Sequence, residues 1–171
     1  MADDFARAFR FEVSLTQSPA PPAPGQAPAE SRQVAGPALG TGRFQECTGM
    51  EMEMDVGEYL EGGRNDGVIQ RAGRVKLSRI TLRRGMLHPA DGPMDLTLWR
   101  WFADVVNGVR PLRRYDGTIR IIAAPHRSVG GWTFVRGLPA KIVGPALHGA
   151  TGAIAIEELQ IAHEGLRLEV T

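Results

Sequence analysis

Residues Met50-Glu51-Met52-Glu53-Met54-Asp55-Val56 alternate apolar and acidic side chains without a break. A period of two sends alternate side chains to opposite faces of a strand, and a helix cannot sort them this way. The stretch reads as a β-strand with one methionine-rich face and one acidic face. The return arm, Val75-Lys76-Leu77-Ser78-Arg79-Ile80-Thr81-Leu82-Arg83-Arg84-Gly85, is basic. Its apolar positions move from odd to even numbers between Leu77 and Ile80, which predicts a β-bulge near Ser78. Paired antiparallel, the face of Glu51, Glu53 and Asp55 meets Lys76, Arg79 and Arg83. Opposite charges across a ladder favour such pairing by up to about 1 kcal/mol each. Met50, Met52 and Met54 most simply face the core. A flexible apolar seam against a second subunit is the other reading.

The connection between these arms, roughly Gly57 to Arg74, is far longer than an ordinary hairpin turn. Loops of that length are usually functional or disordered. It contains Glu58-Tyr59-Leu60-Glu61-Gly62-Gly63-Arg64-Asn65-Asp66, whose paired glycines open backbone conformations closed to other residues. Its place in a long hairpin predicts a loop that touches a neighbour.

Elsewhere, Phe9, Phe11, Val13 and Leu15 alternate with Arg10, Glu12 and Ser14 as a half-buried first strand. From about Gln17 to Gly42 the composition turns to Pro, Ala and Gly, and six of the 12 prolines lie there. Such a segment is expected to stay out of any ladder, as a surface insertion or as an arm that docks on a partner. Leu98, Trp101, Phe102 and Val105 form one helical stripe, with Asp91-Gly92-Pro93 as a start signal and Asn107-Gly108 as a stop. Trp99 lies off the stripe and marks either an interface or a second covered face. Further strands are expected around Thr118–Ala123, at Trp132–Arg136, between Pro139 and Pro145, and from about Ala153 to Val170. In the last of these the inward set moves from Ile154 and Ile156 to Leu159, Ile161 and His163. It then moves to Leu166, Leu168 and Val170, so two bulges or bends are expected. The fold class is mainly β: an antiparallel barrel or sandwich of about six to seven strands, one flanking helix and a long extended hairpin.

The 171 residues suit one domain spanning 1–171, with the Pro/Ala/Gly-rich insertion at about 17–42. Lys plus Arg total 20 against 19 Asp plus Glu, which argues against a dedicated nucleic-acid binder. The single cysteine, Cys47, excludes an internal disulfide and suggests a reducing compartment. Met1-Ala2-Asp3-Asp4-Phe5-Ala6-Arg7 has no apolar centre, so no signal peptide is expected. No apolar run approaches the roughly 20 residues that span a bilayer, so no membrane anchor is expected.

Residues for chemistry are sparse. Gly62-Gly63 and Gly130-Gly131 lack the helix and Lys-Ser/Thr of a phosphate loop. His88, His126, His148 and His163 lack metal-ligand spacing, and His163 and Glu164 point to opposite faces of a strand. Adjacent Glu157 and Glu158 likewise diverge and read as solvated or salt-bridged faces rather than an acid/base pair. Cys47 reads as a small buried hydrophobe. No catalytic residue, metal or cofactor is expected, and the chain does not read as an enzyme.

An ordered set of motifs adds to this. Glu58-Tyr59 through Gly62-Gly63-Arg64-Asn65-Asp66, then Gly73-Arg74 and Ile80-Thr81-Leu82-Arg83-Arg84-Gly85, resembles the inner tube proteins of contractile phage tails and related injection systems. Leu98-Trp99-Arg100-Trp101-Phe102, Trp132-Thr133-Phe134, Pro139-Ala140-Lys141 and Gly144-Pro145 continue the resemblance. It closes with Ala155-Ile156-Glu157-Glu158-Leu159-Gln160-Ile161-Ala162-His163-Glu164-Gly165-Leu166. These motifs come in order and cover nearly everything except residues 17 to 42.

The resemblance implies a β-barrel protomer in hexameric rings that stack as a hollow tube inside a contractile sheath, assembled in the cytoplasm. Strands of neighbouring subunits would line the lumen. Glu58, Tyr59, Glu61, Gly62, Gly63, Arg64, Asn65 and Asp66 would reach the adjacent ring. Implied partners are further copies of the chain, sheath and baseplate proteins, and a tape-measure protein or other lumen cargo. A net charge of +1 suits close stacking, because self-repulsion stays small. The Pro-rich insertion departs from the family pattern. It opens the alternative of a baseplate or tube-initiating ring whose arm docks on non-identical partners.

Overall fold

Val13 and Leu15, two positions apart on the first strand, are 0% and 1% exposed, as their alternation requires. The computed structural model describes residues 10–19, 38–42, 44–60, 62, 67–86, 92–123, 127–150 and 152–169. Phe9, residues 20–37, Glu61, Gly63, Arg64, Asn65, Asp66, His88, Asp91, Pro125, His126 and Val170 lie outside the described residues. The order is β1 (Phe11–Gln17), β2 (Ala38–Gly42), β3 (Glu46–Thr48), β4 (Met52–Tyr59), β5 (Ile69–Leu77), β6 (Ile80–Gly85), α1 (Thr97–Val106), β7 (Tyr115–Ala123), β8 (Arg127–Val143), β9 (Ile156–Ala162) and β10 (Gly165–Glu169).

Eight strands follow one antiparallel path, β2-β1-β7-β8-β9-β6-β3, with β10 also on β8, while β4 and β5 form a separate two-stranded ribbon. The 17-residue β8 is shared: its first part pairs with β7 and β10, its second with β9. The path ends at β2 and β3, which do not pair with each other among the described residues. The architecture is therefore the sandwich form of the expected fold rather than a closed barrel. Between its sheets lie Val13, Leu15 and Ile119 from one side and Ile80, Leu82, Leu159 and Ile161 from the other. Phe134 is 0% exposed, and a Cβ at Gly117 would sit 2.1 Å from its ring, so only glycine lets the ring lie this close to β7.

The strand count is ten among the described residues, above the expected six to seven, for four local reasons, the first being that the return arm divides into β5 and β6. Ala38–Gly42 joins the ladder beside β1, with Leu15 opposite Gly40, so the Pro-rich segment's C-terminal end is paired after all. The three-residue β3 is too short to show alternation. The predicted terminal strand divides at His163 and Glu164, where β9 gives way to β10. Conversely, Pro139 does not bracket a strand but lies inside β8, at a register shift between Pro139 and Lys141, the kind of irregularity at which a strand accommodates proline.

That division accounts for one of the two expected phase slips. The other is not a slip. Ile154 is 77% exposed and the inward residue before Leu159 is Glu157, 1% exposed, so a buried carboxylate interrupts the apolar period. Glu157 Oε1 accepts a 2.6 Å hydrogen bond from Arg84 Nε, and its Oε2 accepts one of 2.8 Å from Trp99 Nε1. Glu158 faces away, 3.7 Å from Arg83. The two carboxylates diverge and are salt-bridged.

Helix α1 buries Leu98 and Trp101. Its start lies beyond Asp91-Gly92-Pro93. Asp95 Oδ1 accepts hydrogen bonds from the Thr97 amide at 2.9 Å and from its hydroxyl at 2.6 Å. These bonds engage a first-turn N–H that no helical carbonyl can reach. The helix stops at Asn107 and Gly108, the glycine at φ 69°, as the stop signal implies. Trp101 packs edge-on against Tyr115 with centroids 4.8 Å apart, while Trp99 covers the second helical face over Glu157 and Gly144.

Candidate functional site

The β4–β5 ribbon stands apart from the sandwich. The register runs Met52 opposite Leu77, Glu53 opposite Lys76 and Met54 opposite Val75. It then shifts and continues from Val56 opposite Ala72 to Tyr59 opposite Ile69. Opposed residues share a face. One face thus carries Met52, Leu77, Met54, Val75, Val56 and Ala72, and the other carries Glu53, Lys76, Arg71 and Tyr59. Every residue of β4 is exposed, including Met52 at 61%, Met54 at 46% and Val56 at 55%. Of the three methionines only Met50 packs against the core, so the core-facing reading fails for Met52 and Met54. Alternation fixes which residues share a face, not what covers it.

Ion pairs follow the register in part. Lys76 Nζ donates to Asp55 Oδ1 at 2.7 Å, as the opposed charges imply. Arg83 does not join them: it lies on β6, 3.0 Å from Glu46 of β3. The reason is that the basic arm is two strands, not one. The ladder ends at Leu77 and resumes at Ile80 against β9, so the phase change marks a passage between sheets. The register shift itself lies further out, between Met54 and Val56, rather than near Ser78. Arg71 stacks over the Tyr59 ring, 4.2 Å from its centroid.

The root of the ribbon is tightly built. Gly49 has φ 87°, and a Cβ there would lie 1.9 Å from the Arg79 carbonyl oxygen. Only glycine meets both conditions. Ser78 donates its amide to Glu51 O at 3.3 Å and its hydroxyl to Glu51 Oε2 at 3.2 Å. At the far end the ladder reaches Tyr59 and Ile69, so the connection is residues 60–68, about half of the expected loop. Of the expected contact residues, Glu58 and Tyr59 are exposed ladder residues and Gly62 lies in a turn.

Residues considered for chemistry are placed elsewhere. Cys47 is on β3 against the core, and burial pushes its thiol up to about 12, far from a reactive thiolate. His163 Nδ1 lies 3.1 Å from Gly165 O and its Nε2 2.9 Å from Ser78 O. Among the described residues no three His, Cys, Asp or Glu are grouped as metal ligands, and no helix is long and apolar enough to cross a membrane.

The chain belongs to the family described as T4-like virus tail tube protein gp19, which it matches over residues 7–167. No curated protein matches it. Among solved structures it is similar to a chain of the anti-feeding prophage baseplate, 6-fold symmetrised. The two are 18% identical over 98% of this chain and 97% of that one, with a TM-score of 0.74. It is also similar to a chain of the PVC sheath-tube complex in the extended state, at 18% identity, 96% and 91% coverage and a TM-score of 0.68. A chain of the PVC sheath/tube terminator in the extended state gives 18%, 99% and 100%, and 0.71. At these identities the structures establish a common fold.

Proposed function

We propose that the chain is the subunit of the inner tube of a contractile phage tail or phage-derived injection system. Six copies close into a ring, and rings stack into a hollow tube within a contractile sheath. The ribbon carries this reading. Its apolar face, with Met52, Met54, Val56 and Val75 all at least 46% exposed, is uncovered among the described residues. A two-stranded ribbon is marginal alone, and its outer edges carry ladder groups with no strand opposite among the described residues. Neighbouring ribbons placed edge to edge pair those groups and form one continuous lumen wall. A head-to-tail contact that closes gives such a ring.

The tip residues Glu58, Tyr59, Glu61, Gly62, Gly63, Arg64, Asn65 and Asp66 then reach the adjacent ring. Sheath and baseplate proteins are the outer partners, and a tape-measure protein or other cargo fills the lumen. The origin of the similar structures in baseplate and sheath-tube assemblies supports these partners. The subunit works as a structural part, without catalysis or cofactor, and assembles in the cytoplasm. Native mass spectrometry of the purified chain tests the reading. A species of six copies is expected, and a monomer at every concentration sinks it.

One observation favours a second reading, a baseplate or tube-initiating ring. Thr16 of β1 lies opposite Ala38 of β2, so both ends of the Pro-rich segment leave from one point at the edge of the sheet. An arm anchored in this way is suited to a non-identical partner. Deleting residues 20–37 decides it. Loss of one baseplate protein from otherwise intact particles supports the second reading, and unchanged composition removes it.

A further inference from the structure

Arg136 has φ 55°, and no other non-glycine among the described residues has a positive φ. In this region an L side chain crowds the following carbonyl oxygen, so glycine is the usual occupant. The residue sits where β8 changes partners. Val135 lies opposite Gly165 of β10, and Leu138 is already opposite Ala162 of β9. On the other edge, Val135 and Arg136 together face the single residue Asp116, between the Tyr115–Gly137 and Gly117–Phe134 pairs. The chain does place a glycine one position later, but for space. A Cβ on Gly137 would lie 2.8 Å from Tyr115 O and from Ile161 Cγ2.

Carboxylates hold the strained residue in place. Asp116 Oδ1 accepts the Arg136 amide at 2.8 Å and the Ser18 hydroxyl at 2.5 Å. Arg136 Nε donates to Glu164 Oε2 at 2.7 Å. Arg114 Nη1 donates to Glu164 Oε1 at 2.6 Å and to the Arg136 carbonyl at 3.0 Å. Glu164 is tied back to β8 by its own amide, which donates to Val135 O at 3.0 Å. Two guanidinium groups thus meet on one carboxylate. Glycine at 136 would relieve the backbone but could not reach Glu164.

We propose that Arg136 is the joint of the sandwich. It is a left-handed residue retained for its side chain, which together with Arg114 clamps Glu164 and fixes the angle between the two halves of β8. The Glu164 side chain is exposed and both arginines are partly so, which lets salt screen the clamp. The joint is therefore stiff at low ionic strength and loosens as salt rises. It belongs to the single chain and stands whether or not rings form.

Urea unfolding of the dissociated full chain at low salt tests strain and clamp separately. Arg136→Ala removes the clamp and keeps the strain, whereas Arg136→Gly removes both. The Gly variant is expected to have an unfolding constant about fivefold smaller than the Ala variant, the reverse of their usual order in a strand. Arg136→Ala is expected to raise the unfolding constant about threefold when Glu164 is present and not at all beside Glu164→Ala. Amide exchange on the wild type, corrected for intrinsic rates, reads the joint without any variant. The Arg136 and Glu164 amides are expected to exchange about fivefold faster in about 1 M salt than in about 0.01 M, with the Val13 and Leu15 amides unchanged. A Gly variant no more stable than the Ala variant overturns the proposal. So does an Arg136→Ala cost that persists without Glu164. Exchange at the two amides that ignores salt, or a salt effect shared equally by Val13 and Leu15, overturns it as well.

Discussion

Arg84 and Glu157 share a 2.6 Å charge-assisted hydrogen bond beneath helix α1, with 6% and 1% of their surfaces exposed. The pair joins β6 to β9 and, through Trp99 and Asp95, holds the helix onto both. One Arg84 nitrogen, Nη2, has no hydrogen-bond partner among the described residues. Removing one member of a buried pair leaves the other charge uncompensated, which costs about 3–5 kcal/mol. Glu157→Leu leaves Arg84 with Asp95 as its one remaining acid at 3.0 Å, so it is expected to lower unfolding free energy by less than that, measured by urea titration. Arg84→Met with Glu157→Leu is expected to recover most of the loss, because neither charge then remains buried.

Acid is expected to loosen the start of α1. The Thr97 hydroxyl hydrogen bond, helped by the Thr97 amide and the Arg84 guanidinium against the effect of burial, holds Asp95 below the ordinary carboxylate value. A depressed folded value means that the unfolded chain binds the proton first as pH falls. The contribution is thus complete above about pH 4 and is lost as pH drops through the folded value. NMR titration of the Asp95 carboxyl checks this. Thr97→Val removes the leading cause and is expected to move the midpoint up toward the unfolded value.

Charge on the ribbon's apolar face is expected to separate folding from assembly. Met52→Glu and Met54→Lys place charges on side chains that are 61% and 46% exposed in the single chain. Thermal stability of the dissociated protein is expected to change by no more than about 0.5 kcal/mol. Sedimentation velocity is expected to show loss of the ring with either substitution alone, since an assembly that covers this face would bury a charge without a partner. Rings that persist with each substitution would mean that this face stays open to water.

At the ribbon tip, Arg64→Ala and Asp66→Ala are expected to shorten stacks while leaving single rings and the melting temperature unchanged. Tube length in micrographs is the readout. Unchanged length with a lowered melting temperature would assign these residues to folding instead.

Much of the fold was legible because most strands have one buried face, and period two reports that directly. Phe11 to Leu15, Ile119 to Ala123 and the Met52 to Val56 arm all lie in strands, as their alternation implies. Legibility fell where another interaction replaced apolar burial. Glu157 is buried by virtue of Arg84 and Trp99, and its charge imitated a change of register. Ala38–Gly42 has neither β-branched nor aromatic residues apart from Thr41, so its pairing with β1 left no trace in composition. The ribbon gave a different lesson. Its two faces were readable, but the arms' continuation through Tyr59 and Ile69 was hidden by glycines and charges that usually mark loops. His163 reads in the sequence as one of the inward set of the last strand. Its contact with Ser78, 85 residues away in the chain, has no local signal.

Electron microscopy of the purified chain, and of particles from its native host, measures the central claim most directly. The expected result is rings of constant width, stacked into hollow tubes, with the β4–β5 ribbons lining the lumen. A chain that stays dispersed at high concentration and is absent from the shaft and base of such particles would contradict it.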